Sequence, residues 1–170
     1  SNDLNKTIII RRNIQEIKNW ILDVFLDQHF EFAVSKDSSH TQIEKIKIFE
    51  ITIKNIESII SQIINKKVTL GINLRIHNNS RLKLVDESGK DYLPSLNNLS
   101  AGQSTLLSIF INIIKQSENI NIMNSVAMQQ ISGIVMIDEI DLHLHIDLQR
   151  EVLVNLIKLF PKVQFIVTTH

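Results

Sequence analysis

A chain of 170 residues that is 44% apolar, with four glycines and two prolines, can bury a genuine core and is not a disordered tail. Lys plus Arg equals Asp plus Glu, so the formal net charge is zero, and any contact with DNA would need a local patch. The absence of cysteine excludes disulfides, thiolate metal sites and cysteine nucleophiles.

No apolar run approaches the roughly twenty residues of a membrane span. Ser1-Asn2-Asp3 has neither the basic nor the apolar region of a signal peptide, so a cytoplasmic setting with no membrane partner is expected. The start without Met, and the stop at Val167-Thr168-Thr169-His170 straight after an apolar strand pattern, predict a fragment of something longer.

From Asn13 to Phe30, Ile14, Ile17, Ile21, Val24 and Phe25 recur at helical spacing, with Asn13 as the N-cap. A polar cluster over 31–42 reads as a loop. Ile46, Phe49, Ile53, Ile56, Ile60 and Ile63 then form a helical stripe over about residues 42 to 65; alternation within it also fits strands, but the length favours a helix. After Lys66-Lys67 the period drops to two. Val68, Leu70, Ile72, Leu74 and Ile76 predict a strand, and Leu82-Lys83-Leu84 starts a second; with a turn at 87–90 before Tyr92-Leu93-Pro94, two or three short antiparallel strands are expected.

A helix is predicted after Gly102, burying Leu106, Leu107, Phe110, Ile113 and Ile114. Residues 115–130 read as a loop and a weak helix. Ile131 to Ile137 is a nearly continuous apolar run, the pattern of a parallel strand buried on both faces. Residues 147–160 predict a helix with Leu148, Val152, Leu156 and Leu159 on one stripe, stopped by Pro161, and Val163 to Val167 is the next strand. Strand, helix, strand implies parallel neighbours, and in such sheets chemistry sits beyond the carboxyl ends of the strands. The expected fold class is α/β, a lobe with parallel core strands plus helical and small antiparallel elements on its N-terminal side. Residues 1–95 would form the helical and antiparallel region, and 96–170 the lobe with the chemistry.

Four groups of residues carry chemical meaning. Asp138-Glu139 ends the apolar strand, where two carboxylates must face a polar site. Along an extended backbone their side chains point in different directions, so one can support Mg²⁺ while the other reaches an attacking water, the two services that phosphoryl transfer needs. The alternative is a strand end finished by solvated acids. Leu99-Ser100-Ala101-Gly102-Gln103 offers a hydroxyl, a close-approaching backbone and a helix N-terminus that favours an anion; an ordinary capped helix is its alternative. His170, at the mouth of the last strand, could donate to a phosphate oxygen or hold a water. Asp141, His143, His145 and Asp147 could suggest a metal site, but two histidines two residues apart share no face in a strand and lie about 200° apart in a helix. A tight connection serving an interface or a nucleotide site fits better.

Leu99–Gln103 resembles the ABC signature motif, usually LSGGQ, with Ala101 in place of a glycine. Ile134–Glu139 resembles a Walker B strand with its catalytic glutamate, Asp141 falls in the D-loop region, and His170 matches the switch histidine. The order and spacing are similar to the ABC-type heads of the SMC, RecF and OLD group, often labelled AAA-family ATPases, over roughly residues 92–170. Ile146 stands where those proteins usually have proline. The resemblance implies an ATPase in which Asp138 supports Mg²⁺, Glu139 polarises water and His170 senses the γ-phosphate. Ser100, Ala101, Gly102, Gln103 and Asp141 would serve the nucleotide. Ser100 and Gly102 would reach the γ-phosphate held by a second, opposing head domain, in a homodimer acting in DNA repair, maintenance or bacterial defence.

No G-x-x-x-x-G-K-[ST] loop is present, and Gly71 and Gly89 lack its spacing. The N-terminal Walker A lobe is therefore expected to lie upstream, and these residues alone are expected to bind ATP weakly and not to turn it over. Two other readings compete with the engine: a non-hydrolysing docking module for an effector protein, and a metal-dependent nuclease built on Asp138, Glu139, Asp141 and Asp147.

Overall fold

A computed structural model describes residues 13–34, 40–77, 80–120, 126–141 and 144–169. The chain begins with two helices, α1 (Ile14–Val34) and α2 (His40–Ile64). Three antiparallel strands follow, β1 (Val68–His77), β2 (Ser80–Asp86) and β3 (Asp91–Leu93), in the order β1-β2-β3. A 3₁₀ turn (Leu96–Asn98) leads into α3 (Ala101–Ile120). The last part holds β4 (Ser132–Ile137), a π-helical turn (Leu148–Leu153), α4 (Val154–Lys158) and β5 (Lys162–Val167). β4 and β5 pair in parallel from Ser132↔Lys162 to Ile137↔Val167. This is the expected α/β lobe with parallel core strands and helical and antiparallel elements before it.

The helical stripes are where their spacing puts them. Asn13 caps α1, its Oδ1 accepting the Glu16 N–H at 3.2 Å. Ile17, Ile21, Val24 and Phe25 from α1, Ile53, Ile56, Ile60 and Ile63 from α2, and Leu106, Leu107, Phe110, Ile113 and Ile114 from α3 share one buried core. Each such side chain contributes about 1.5–3 kcal/mol by leaving water, which outweighs the modest helix propensity of the many isoleucines. α3 runs on to Ile120, further than the polar residues after 115 suggested.

The end of α2 is tightly specified. Lys66 N–H donates to the Ser61 carbonyl and Asn65 N–H to that of Gln62, with Asn65 at φ 51°, the paired bonds of a Schellman stop. The Ser61 hydroxyl accepts the Val68 N–H at 3.1 Å, and Glu57 accepts the Leu70 N–H at 2.8 Å, so α2 fixes the start of β1. Burial pushes the Glu57 carboxyl up from its ordinary range, and the bond from Leu70 only partly opposes this. Gly71 faces β2 where a Cβ would lie 2.8 Å from Val85 Cγ2, so that crossing needs glycine.

Two expectations need correction. β4 is not buried on both faces: Val135 and Ile137 turn toward the core, but Ile134 is 67% exposed and Met136 74%. The period-two geometry sends alternate side chains to opposite sides, and among the described residues no element of this chain covers the second side. The segment after Asp147 is also not a uniform α-helix. Its first turn is π-helical, and this wider winding lets both Val152 and Leu153 lie against the core while Leu156 is fully buried.

Candidate functional site

β4 and β5 start level, and β5 is followed by Thr168 at the same edge where β4 delivers Asp138. β5 rests on α3 through a trio of aromatic rings, and Val135 and Ile137 bring β4 to the same core. Phe110 of α3 lies 5.9 Å from Phe160 and 6.1 Å from Phe165 of β5, centroid to centroid. The strand ends therefore sit on a packed base, and the polar residues beyond them inherit its position.

At that edge the backbone after Ile137 wraps around Thr168. The Thr168 N–H donates to the Ile137 carbonyl at 3.0 Å, and the Ile140 N–H donates to the Thr168 carbonyl at 3.1 Å. The Thr168 hydroxyl accepts the Glu139 N–H at 2.8 Å and donates to the Asp138 carboxylate. One threonine thus holds the Asp138 carboxylate and the Glu139 backbone. The sequence reading assigned no role to it; its position at the carboxyl end of the neighbouring strand was the available signal.

The extended backbone expected for Asp138-Glu139 is not what forms. Glu139 adopts φ 49°, a left-handed conformation that costs a side-chain-bearing residue about 1–3 kcal/mol. The bend is what brings the N–H groups of Glu139 and Ile140 back to Thr168. Asp138 is exposed and Glu139 partly buried at the mouth of the sheet. A carboxylate beside a hydroxyl is a hard oxygen donor set, which suits Mg²⁺ held by one carboxylate together with substrate phosphates.

The signature-like segment forms a reciprocal cap. Ser100 Oγ accepts the Gln103 N–H at 3.2 Å, while Gln103 Oε1 accepts the Ser100 N–H at 3.0 Å. This capping box explains why α3 starts there, and it uses both polar side chains within their own turn. Ala101 is exposed and Gly102 buried in that first turn. Asp141 is partly buried in the connection after the site, and its carbonyl accepts the Leu144 N–H at 3.0 Å. His145 lies 3.2 Å from Asp147, both exposed. His143 and His170 lie outside the described residues. Among the described residues no three His, Cys, Asp or Glu side chains gather to hold a metal ion, so the acids of the nuclease reading are not assembled.

A family model described as an AAA ATPase domain matches residues 1–170. The chain belongs to that family. Within the AAA ATPase domain family, it is 46% identical over 72 residues to the "Retron Ec83 probable ATPase" of Escherichia coli, covering 42% of this chain and 13% of that protein. It is 27% identical over 156 residues to the Septu protein PtuA of Bacillus thuringiensis, covering 91% of this chain and 35% of the relative. The chain therefore spans about a third or less of these relatives' lengths. A crystal structure of an SmcHead bound to the C-winged helix domain of ScpA aligns with 98% of this chain and 43% of its own, at 18% identity and TM-score 0.45. Among the described residues no helix is long and apolar enough to cross a membrane.

Proposed function

We propose that this chain is the signature-and-Walker-B portion of an ATP-hydrolysing head that works as a head-to-head dimer. Residues 96–170 carry the chemistry, and 1–95 form the root of an arm. The observation that supports the reading most directly is the Thr168 clasp, which holds Asp138 and Glu139 at the C-terminal edge of two parallel strands. In that arrangement Asp138 would hold Mg²⁺, which would neutralise the polyphosphate. Glu139, the next residue, takes the proton of the attacking water. His170 follows the same strand as Thr168 and reads the γ-phosphate. Ser100, Ala101, Gly102 and Gln103 present the N-terminus of α3 to the nucleotide of the opposing head, and Asp141 lines the same interface.

The open face of β4 and β5 fits this account. Ile134, Met136 and Ile166 form an apolar surface too costly to leave in water, and the rest of the head, with its phosphate loop, is the natural cover. The ATPase relatives point the same way, and those from retron and Septu systems make bacterial defence the favoured setting. The docking-module reading predicts that Glu139→Gln leaves the full-length protein unchanged; the engine reading predicts loss of turnover and an ATP-trapped dimer. Unaltered turnover in that variant would refute the engine.

A further inference from the structure

We propose that Lys18 is a positioning residue for the signature turn, an inference that rests on the dimeric ATPase reading above. Lys18 lies on α1, far from the signature residues in sequence, yet its Nζ donates to Asn97 Oδ1 at 2.7 Å across 79 residues. Asn97 belongs to the 3₁₀ turn that delivers the chain to Leu99 and Ser100. That turn is anchored from below by Leu96, which is fully buried, and by Ser95, whose hydroxyl accepts the Asn97 N–H at 3.0 Å. The Leu99 N–H returns to the Leu96 carbonyl, and the Ser100–Gln103 cap begins one residue later. Lys18 thus grips the turn from above while its base is held by the core.

A second bond on the same helix strengthens the grip. Glu16 pairs with Lys115, about four turns further along α3, so α1 is tied both to the turn ahead of α3 and to α3 itself. Ile17 and Ile21, on either side of Lys18 in sequence, are buried, which fixes the line of α1 against this region. Burial holds the Lys18 ammonium below its ordinary range. Its hydrogen-bond partner is a neutral amide oxygen, and among the described residues no carboxylate forms an ion pair with it. A long donor at this place fixes the direction in which Ser100 and Gly102 meet a nucleotide.

The test uses the full-length protein with Lys18→Met, Lys18→Arg and Asn97→Ala. Turnover is measured in the wild-type background, and ATP-dependent pairing by sedimentation in the Glu139→Gln background. Lys18→Met is expected to lower kcat and weaken pairing about tenfold, with KM for ATP and the melting temperature without nucleotide close to wild type. Lys18→Arg restores both activities. The Lys18→Met, Asn97→Ala double variant is no worse than either single change, because the two act through one contact. Wild-type turnover and pairing in Lys18→Met would overturn the inference and leave the ATPase reading standing. So would a loss that only follows a lowered melting temperature and is not rescued by arginine. A full-length wild-type protein that neither hydrolyses ATP nor pairs would overturn both.

Discussion

The Thr168 hydroxyl bonds to both Asp138 and Glu139, so Thr168→Val is an informative perturbation. Valine keeps the shape, opens no cavity, and removes the hydroxyl that accepts from Glu139 and donates to Asp138. A net hydrogen bond contributes about 1 kcal/mol and one to a charged group about 1.5–3 kcal/mol. Asp138 is exposed, so water replaces much of what it loses, and the total cost should be about 1–2 kcal/mol. At roughly 2–4 °C per kcal/mol for a domain of this size, melting should fall by about 2–8 °C. Turnover should suffer more. The bond from Glu139 N–H helps to offset the left-handed φ of 49°, and without it the backbone relaxes and carries the carboxylate away from the water it must reach. A displacement near 1 Å costs about a hundredfold in rate. The assay is steady-state ATP hydrolysis by the full-length protein, beside thermal unfolding. Thr168→Ser, which keeps the hydroxyl, should stay near wild type. Undiminished turnover in Thr168→Val, or a serine variant as impaired as the valine one, would refute the reasoning.

Three further outcomes can be measured by unfolding alone. Gly71→Ala should destabilise by about 1–3 kcal/mol in chemical denaturation, because its Cβ would meet Val85 Cγ2 at 2.8 Å; adding Val85→Ala should recover part of the loss. Ser100→Ala should cost about 1 kcal/mol, and Gln103→Ala added to it little more, since the cap is reciprocal. Glu57 provides a pH test. Its folded pKa lies above the unfolded value, so the folded state binds more protons between the two, and stability falls as pH rises through that window from about 4.5 upward. Glu57→Gln, which can still accept from Leu70, should therefore be more stable than wild type at neutral pH. That advantage should vanish as the pH falls below the window; an advantage that persists in acid would contradict the assignment.

Much of the fold is written locally. The stripes of α1, α2 and α3 follow from helical spacing of aliphatics, the Asn13 cap from its place before the first turn, and β1 and β2 from simple alternation. The two acids at the end of an apolar run predict a strand mouth that carries both, and β4 ends at Ile137 just before them. What was not legible depends on distant partners. The left-handed turn at Glu139 is held by a threonine on the neighbouring strand, and no pattern around residue 139 announces it. The run from Ile131 to Ile137 predicts a strand buried on both faces, yet Ile134 and Met136 are exposed, because a run of apolar residues does not say whether a second layer lies over the strand. The π-helical turn after Asp147 arises from fitting Val152 and Leu153 against the core, a demand of tertiary packing. The bond from Lys18 to Asn97 likewise exists only once α1 lies beside the signature turn.

ATP turnover by the full-length protein with Glu139→Gln, measured together with its mass in solution at saturating ATP and Mg²⁺, tests the central claim most directly. The account predicts that hydrolysis falls to background while the variant accumulates as a nucleotide-bound pair of heads. A variant that hydrolyses ATP at the wild-type rate, or that stays single with nucleotide bound, would contradict it.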